Sequence, residues 1–456
     1  MNNIQSLFGA ILISLFCVSC SEENPPASSA SSPTSPETFY LGGIQVNEGD
    51  LNHWTHTLRK TGMNTVEVTV YINQADWDGD HLWWNEEEKW VVEEIRSARQ
   101  EGLKVVLILR TSLHSFYPRN KFLWHGMILP ADHEKIRNWF KQYRTFALKW
   151  GAICQQEGVE VLGIGSELNA MAATRPLTEI PDLYAYFNDV HRQRENEGRA
   201  FKYADVLREN DLWVRGDGQY ADLRTYIQDK IEAQKKWAAQ VTFEGQPDRL
   251  KKMNDRRQLI ENQWISLIKD LRKIYDGKLT YAANFDNYQD VGFWEYLDFV
   301  GINAYFQLRP PTFGELPDTA LLSVFRQSWR AIFDQIDQVK AADSIPDKPV
   351  MFTELGYVRA EDSTVAPWQG FGFSVVASAF FEKIILWNRQ RPRPRERQLA
   401  VAALREVVRE KKYPLAGILY WKLTTHAFHL PHEPFALLIA NPPVDSLQWE
   451  LARFLN

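Results

Sequence analysis

Residues Val161–Asn169 read VLGIGSELN, and Lys348–Tyr357 read KPVMFTELGY. In each, a run of apolar and small residues ends on one acid, Glu167 or Glu354. A short apolar run without strict alternation suits a parallel strand buried on both faces. A carboxylate at its tip marks the point where the strand leaves the core, because an unpaired charge is costly to bury. Six further runs read the same way: FYLGGIQV, NTVEVTVYI, KVVLILR, LTYAANF, LDFVGINAY and LAGILYWKL. The total is about eight, the strand count of a (β/α)8 TIM barrel.

The segments between the runs carry helical patterns. EEKWVVEEIRSARQEG places Trp90, Val91, Ile95 and Ala98 near helical spacing, with Gly102 as terminator. IRNWFKQYRTFALKWGAICQQEG repeats the arrangement and stops at Gly158; NQWISLIKDLRKIYDG does so at Gly277. Strand, helix, glycine, strand is the rhythm of βαβ units. It breaks between residues 174 and 258, where DLRTYIQDKIEAQKKWAAQ and DRLKKMNDRRQLIENQWISLI both read as helices. The expectation is an α/β fold, a (β/α)8 barrel over 39–456 with a helical insertion after strand 4, at about 174–258. Within the insertion, RLKKMNDRR reads as a solvated helix face. GGIQVNEGD lacks the full glycine-rich phosphate fingerprint and reads as the first βα turn.

The ends of the chain speak to location. An apolar stretch from Leu7 to Val18 is short for a membrane span and reads as a signal peptide. It ends in CVSC, similar to a bacterial lipoprotein box with Cys20 as the lipidated residue, although Cys17 stands where Leu is usual. Residues 1–20 are therefore expected to be a cleaved leader. Ser21–Thr38, SEENPPASSASSPTSPET, cannot bury enough apolar surface to fold and reads as a flexible tether. The expectation is an exported protein held by a lipid anchor in a bacterial cell envelope, touching the membrane through that anchor alone. Cleavage would leave Cys154 alone, so no intrachain disulfide is expected.

Composition removes some function classes. The 456 residues carry a formal charge of -6, which gives nucleic acid no basic field to follow. Metal and cofactor signals are weak, and no cofactor is expected. His426, His429 and His432 have the spacing of one helical face, but Pro431 argues against a helix there. Seventeen tryptophans need a reason: a bulky core, or a groove where rings stack on flat ligands.

Active groups of such barrels sit where strands end and βα loops begin. Glu167 ends strand 4 and Glu354 ends strand 7, which face each other across the mouth. Two convergent carboxyls suit glycoside hydrolysis, one to protonate the leaving oxygen and one to attack the sugar or activate water. The blocks FKQYRTFALKWGAICQQEGVEVLGIGSELN, GKLTYAANF, LDFVGINAYF, KPVMFTELGY and GILYWK resemble family 113 of the glycoside hydrolases, whose members are mainly β-1,4-mannanases. The resemblance runs from about Tyr40 to Lys422, interrupted by the insertion. It implies a retaining double displacement with Glu167 as acid/base and Glu354 as nucleophile. It implies that Asn284 contacts sugar, that Tyr305 donates its hydroxyl to the nucleophile, and that Trp421 forms the floor under the sugar being cleaved. Trp124, in WHGMI, matches a block near the cleft, and Ser166 and Asn169 flank the acid. The strand 3 end, LRTSLH, departs from the pattern, so Arg110 and His114 are expected to meet a different sugar. Among Trp77, Trp83 and Trp84 in the loop after strand 2, one is expected to stack on ligand, and Trp84 is the candidate.

The expected reaction is hydrolysis of β-linked glycan, foremost β-1,4-mannan or manno-oligosaccharides, with the Glu167 carboxyl raised and Glu354 kept ionised by hydrogen bonds. A surface glycan-binding protein or a transglycosylase on the same barrel is the alternative; a structural envelope protein would need neither glutamate.

Overall fold

Eight parallel strands close on themselves in the computed structural model: β1 (Tyr40–Gln45), β2 (Thr65–Gln74), β3 (Lys104–Leu113), β4 (Val161–Ser166), β5 (Lys278–Asn284), β6 (Val300–Asn303), β7 (Val350–Leu355) and β8 (Leu415–Thr424). Each pairs with the next, and β1 pairs with both β2 and β8 to complete the ring. All eight apolar runs of the sequence are these strands. The structure describes residues 39–183, 223–310, 316–368, 374–376, 384–386, 392–431 and 433–455. The leader, Cys20, the tether and His432 lie outside them.

Around the ring stand α1 (Leu51–Lys60), α2 (Glu88–Gln100), α3 (His133–Glu157), α4 (Leu223–Val241), α5 (Arg249–Leu271), α6 (Asp318–Ala342), α7 (Pro394–Lys411) and α8 (Ser446–Ala452). Two short 3-10 turns, Tyr288–Asp290 and Trp294–Tyr296, replace a helix between β5 and β6. The ends of α3 follow from local chemistry. Asp132 accepts the Lys135 amide at 2.9 Å at one end, and Gly158 takes the left-handed φ of 67° at the other.

Alternation along the strands divides the core into two layers. Val66, Val68 and Val70 of β2 and Val105, Leu107 and Leu109 of β3 pack outward against the helices. Val106, Ile108, Val161, Ala282 and Met351 fill the barrel interior. Glu67 and Arg110 fall on the interior side by the same period, at a level where the filling turns polar.

Most of the tryptophan goes into the outer layer. Trp54, Trp139, Trp264, Trp294 and Trp329 are fully buried. Burying a large apolar side chain contributes roughly 2–3 kcal/mol each. Trp264 of α5 stacks on Phe293 at 5.5 Å and meets Phe140, Tyr143 and Tyr281 edge-on. Its indole donates to Met171 O, which ties α5 to the segment just after Glu167.

Four sequence expectations need correction. Trp90 is 64% exposed; the buried stripe of α2 is Val91, Glu94, Ile95 and Ala98, about 100° round the helix. RLKKMNDRR is only partly a solvated face, because the end of α4 and the turn after it, Val241–Phe243, lie against Arg249 and Arg256. Met253 and Arg256 are buried, with Arg256 stacked 4.7 Å from the Phe243 ring. The helix before β5 ends at Leu271, well ahead of Gly277, and Tyr275 then turns inward to donate to Val159 O. Finally, Gly42 and Gly43 belong to β1 and not to a turn. A Cβ on Gly42 would lie 1.6 Å from Thr65 O, so the close approach of β2 demands glycine.

Candidate active site

Both strand-end glutamates are delivered by broken registers. Met351 faces inward and Phe352 outward, so strict alternation would send Glu354 out to the helices. Phe352 pairs with Ile302, but Asn303 pairs with Glu354. On the other side Ile418 pairs with Phe352 and Tyr420 with Leu355. β7 thus carries one extra residue relative to both neighbours, a bulge that re-aims the side chain. β4 has its own irregularity: Gly163 pairs with Thr280, and Ser166 with Ala282. Glu167 follows at φ 50°, a left-handed conformation that costs an L-residue roughly 1 kcal/mol or more. Hydrogen bonds from Tyr143 Oη to Ile164 O (2.8 Å) and from Leu168 N to Tyr281 Oη (2.9 Å) secure the chain on either side.

Glu354 is held by three side-chain donors. Tyr305 donates its hydroxyl to Oε2 at 2.5 Å, Asn303 donates Nδ2 to Oε1 at 3.0 Å, and Arg110 Nη2 also donates to Oε1. Thr353 Oγ1 donates to Asn303 Oδ1 at 2.8 Å, which fixes which end of that amide faces the carboxylate. Arg110 lies 4.8 Å from the Trp421 ring centroid. Glu167 meets His125, whose Nε2 stands 3.2 Å from its Oε2, and Asn303 also bears on it. His125 comes from the 3-10 turn His125–Met127 in the loop between β3 and α3. α4 braces that loop, because Trp237 Nε1 donates to Met127 O at 2.8 Å and Gln234 to Phe122 O at 3.1 Å.

These surroundings order the carboxyls in the reverse of the expected sense. Burial alone would raise Glu167, but the hydrogen bond and charge of His125 outweigh it and hold it below the usual carboxylate range. Burial pushes Glu354 up; the Glu167 charge adds to this, while Arg110 and Tyr305 pull against it.

One cavity of about 1000 Å³ takes in Glu167, Glu354, Ser166, Asn284, Tyr305 and Trp421, with Trp124 on its wall. Asn284 Oδ1 accepts the Phe285 amide at 2.8 Å. Asn169 starts the short helix Asn169–Ala172 and donates to Asp286 at 3.3 Å. Arg110 is in the cavity wall too, but its guanidinium is committed to carboxylates. His114 and Trp84 are elsewhere. His114 packs against Trp83, Phe116 and Tyr117, and Trp84 leans on Phe146 of α3. Trp77 is buried under Arg119, so the tryptophans after β2 serve packing. A larger depression of about 1860 Å³ adjoins the cavity at Tyr71 and Trp421 without reaching the carboxylate pair.

Sequence reading missed His125, Asn303 and Glu67, and the rim aromatics Phe285 and Trp368, which stack at 5.1 Å. Three of these had a visible signal: His125 follows Trp124, Asn303 stands two before Tyr305, and Glu67 interrupts an apolar strand. His426 Nε2 lies 3.3 Å from Glu48 Oε2, and His429 Nδ1 lies 2.6 Å from Thr424 Oγ1. Among the described residues no group of His, Cys, Asp and Glu is arranged to hold a metal.

The profile of Glycoside Hydrolase Family 113 matches residues 48–176 and 250–377, on either side of α4. Among solved structures, the chain resembles the GH113 β-mannanase AaManA from Alicyclobacillus acidocaldarius in complex with ManMIm, at 14% identity and a TM-score of 0.54, covering 91% of this chain and 98% of that one. It also resembles a GH113 β-1,4-mannanase solved as a complex, at 13% identity and a TM-score of 0.53, covering 92% and 98%. These likenesses establish the barrel. No curated protein sequence matches.

Proposed function

The chain belongs to glycoside hydrolase family 113, and on that premise we propose that it hydrolyses β-1,4-mannan or manno-oligosaccharides by retaining double displacement, with Glu354 as nucleophile and Glu167 as acid/base. The observation that carries the proposal is the convergence of Tyr305, Asn303 and Arg110 on Glu354, in the cavity that also holds Glu167. Three donors align a carboxylate and favour its charged form. The relatives' mannanase activity supports the choice of sugar.

In the first step a Glu354 oxygen bonds to the anomeric carbon, the glycosidic C–O bond breaks, and the Glu167 proton passes to the departing oxygen. In the second, Glu167 takes a proton from water, whose oxygen bonds to the anomeric carbon as the Glu354 ester breaks. His125 holds Glu167 charged in the free protein, so substrate must displace it or weaken its grip before the acid can act. Trp421, stacked against Arg110, offers a flat face to the sugar. The exposed rings of Trp124 and Trp368 at the rim favour a sugar acceptor there, so transglycosylation is the second reading. The leader and CVSC support export and lipid anchoring through Cys20, which labelling with a radioactive fatty acid would test against Cys20→Ala.

Incubation with mannohexaose tests the function. Shorter oligomers whose new reducing ends first appear as the β-anomer by NMR support it; α-anomers, or no products from folded protein, refute it. Oligomers longer than the substrate would report transfer.

A further inference from the structure

Glu67 stands one guanidinium away from the chemistry above. It projects from β2 into the barrel with no exposed surface. Among the described residues its one hydrogen bond comes from Arg110 Nη2 at 3.4 Å, and its Oε2 has no partner. The same Nη2 donates to Glu354 Oε1. Two buried carboxyls therefore face one cation. The other charges that bear on Glu67 are Glu354 itself from β7 and Lys422 from β8, while β1 sets uncharged Ile44 beside it. Glu354 has Tyr305 and Asn303 as further donors. A carboxylate with several donors is better stabilised than one with a single long hydrogen bond. When the two compete for Arg110, the proton belongs on Glu67.

From this geometry we infer that Glu67 is a positioning residue for the proposed reaction: as a neutral acid it leaves the charge of Arg110 to Glu354, and on ionising it draws Arg110 away and slows attack. The inference rests on Glu354 being the nucleophile. Burial, helped by the Glu354 charge and opposed by Arg110, pushes the Glu67 carboxyl up to about 8. The neutral acid thus prevails at neutral pH, and the charged form takes over in mild alkali.

A 2,4-dinitrophenyl 2-deoxy-2-fluoro-β-mannoside isolates this step, because dinitrophenolate leaves without a proton from Glu167. The Glu354 oxygen bonds to the anomeric carbon, the bond to the aryl oxygen breaks, and the electron pair departs on dinitrophenolate. Release is followed from about pH 5 to about pH 9.5, with the labelled peptide identified by mass spectrometry. The wild-type rate is expected to plateau and then fall about tenfold per pH unit above about pH 8, as one ionisation requires. Glu67→Gln is expected to keep the plateau to the highest pH. Glu67→Met, similar in size and uncharged, takes its place if circular dichroism finds the first variant unfolded, with the same expectation. A wild-type rate that stays flat through this range, or a fall that persists unchanged in either folded variant, overturns the inference while leaving Glu354 as nucleophile. Absence of any adduct on the wild-type Glu354 peptide overturns the proposed mechanism and this inference with it.

Discussion

Glu354 and Glu167 share one cavity and are held in opposite ways. Glu354 is fastened by donors from β3 and β6 and sits in a closed ladder. Glu167 stands on left-handed backbone, and its partner His125 comes from a loop. The contrast matches what a retaining pair needs. A nucleophile must keep one orientation and one charge, whereas an acid/base must gain and lose a proton in each cycle. Rigidity belongs with the first, and an exchangeable partner with the second.

The largest expected effect tests the fastened side. Glu354→Ala should lower kcat on mannohexaose on the order of 10⁴-fold or more, and azide should restore turnover by forming the α-glycosyl azide. Glu167→Ala should cost about 10²–10⁴-fold with the same substrate but far less with a dinitrophenyl mannoside, since only the former needs a proton on its leaving group. Equal losses on both substrates would contradict the division of roles. Tyr305→Phe should cost about 10²-fold in kcat with KM little changed. Because Tyr305 pulls the Glu354 carboxyl down, its loss should also move the acid limb of the rate profile to higher pH.

The loop side should respond more mildly. His125 holds Glu167 below its ordinary range, so His125→Ala should let the acid stay protonated to higher pH, shifting Glu167's ionisation upward in the free protein. The same shift acts on stability. A depressed carboxyl stabilises the fold above its unfolded pKa and loses that contribution as pH falls through the folded one. Thermal melts of His125→Ala should accordingly lose more, relative to wild type, near neutrality than in acid. The smallest effect is expected from Trp237→Phe, which removes the brace between α4 and the His125 turn at a cost of about 1 kcal/mol. It should move the same ionisation in the same direction as His125→Ala, by less, and leave that of Glu354 alone.

The two glutamates also mark how far the sequence could be read. The eight strands were legible because burial on both faces writes an unbroken apolar run, and their ends located Glu167 and Glu354. The bulge in β7 was not, since an extra residue in a ladder leaves no mark until its neighbours are known. The order of the two carboxyls was expected the wrong way round for a related reason. His125 reaches Glu167 across 42 positions of chain, through a loop whose path depends on α4. Glu67 was passed over because a lone acid in an apolar strand looks like a break in pattern until Arg110 is seen beside it. Trp84 was expected at the sugar because an aromatic residue after a strand end suits stacking, yet Phe146 of α3 claims it; His114 was expected there from its place at the end of strand 3, yet Trp83, Phe116 and Tyr117 surround it.

The extra residue in β7 also brings a hydroxyl of its own. A regular strand alternating from Met351 would still bring a carboxylate inward, opposite Asn303, if Thr353 were removed, but the hydroxyl that turns the Asn303 amide would go with it. Asn303 could then turn its oxygen toward the carboxylate in place of its nitrogen. The bulge therefore acts as a latch, keeping the donor end of that amide toward the reactive oxygen.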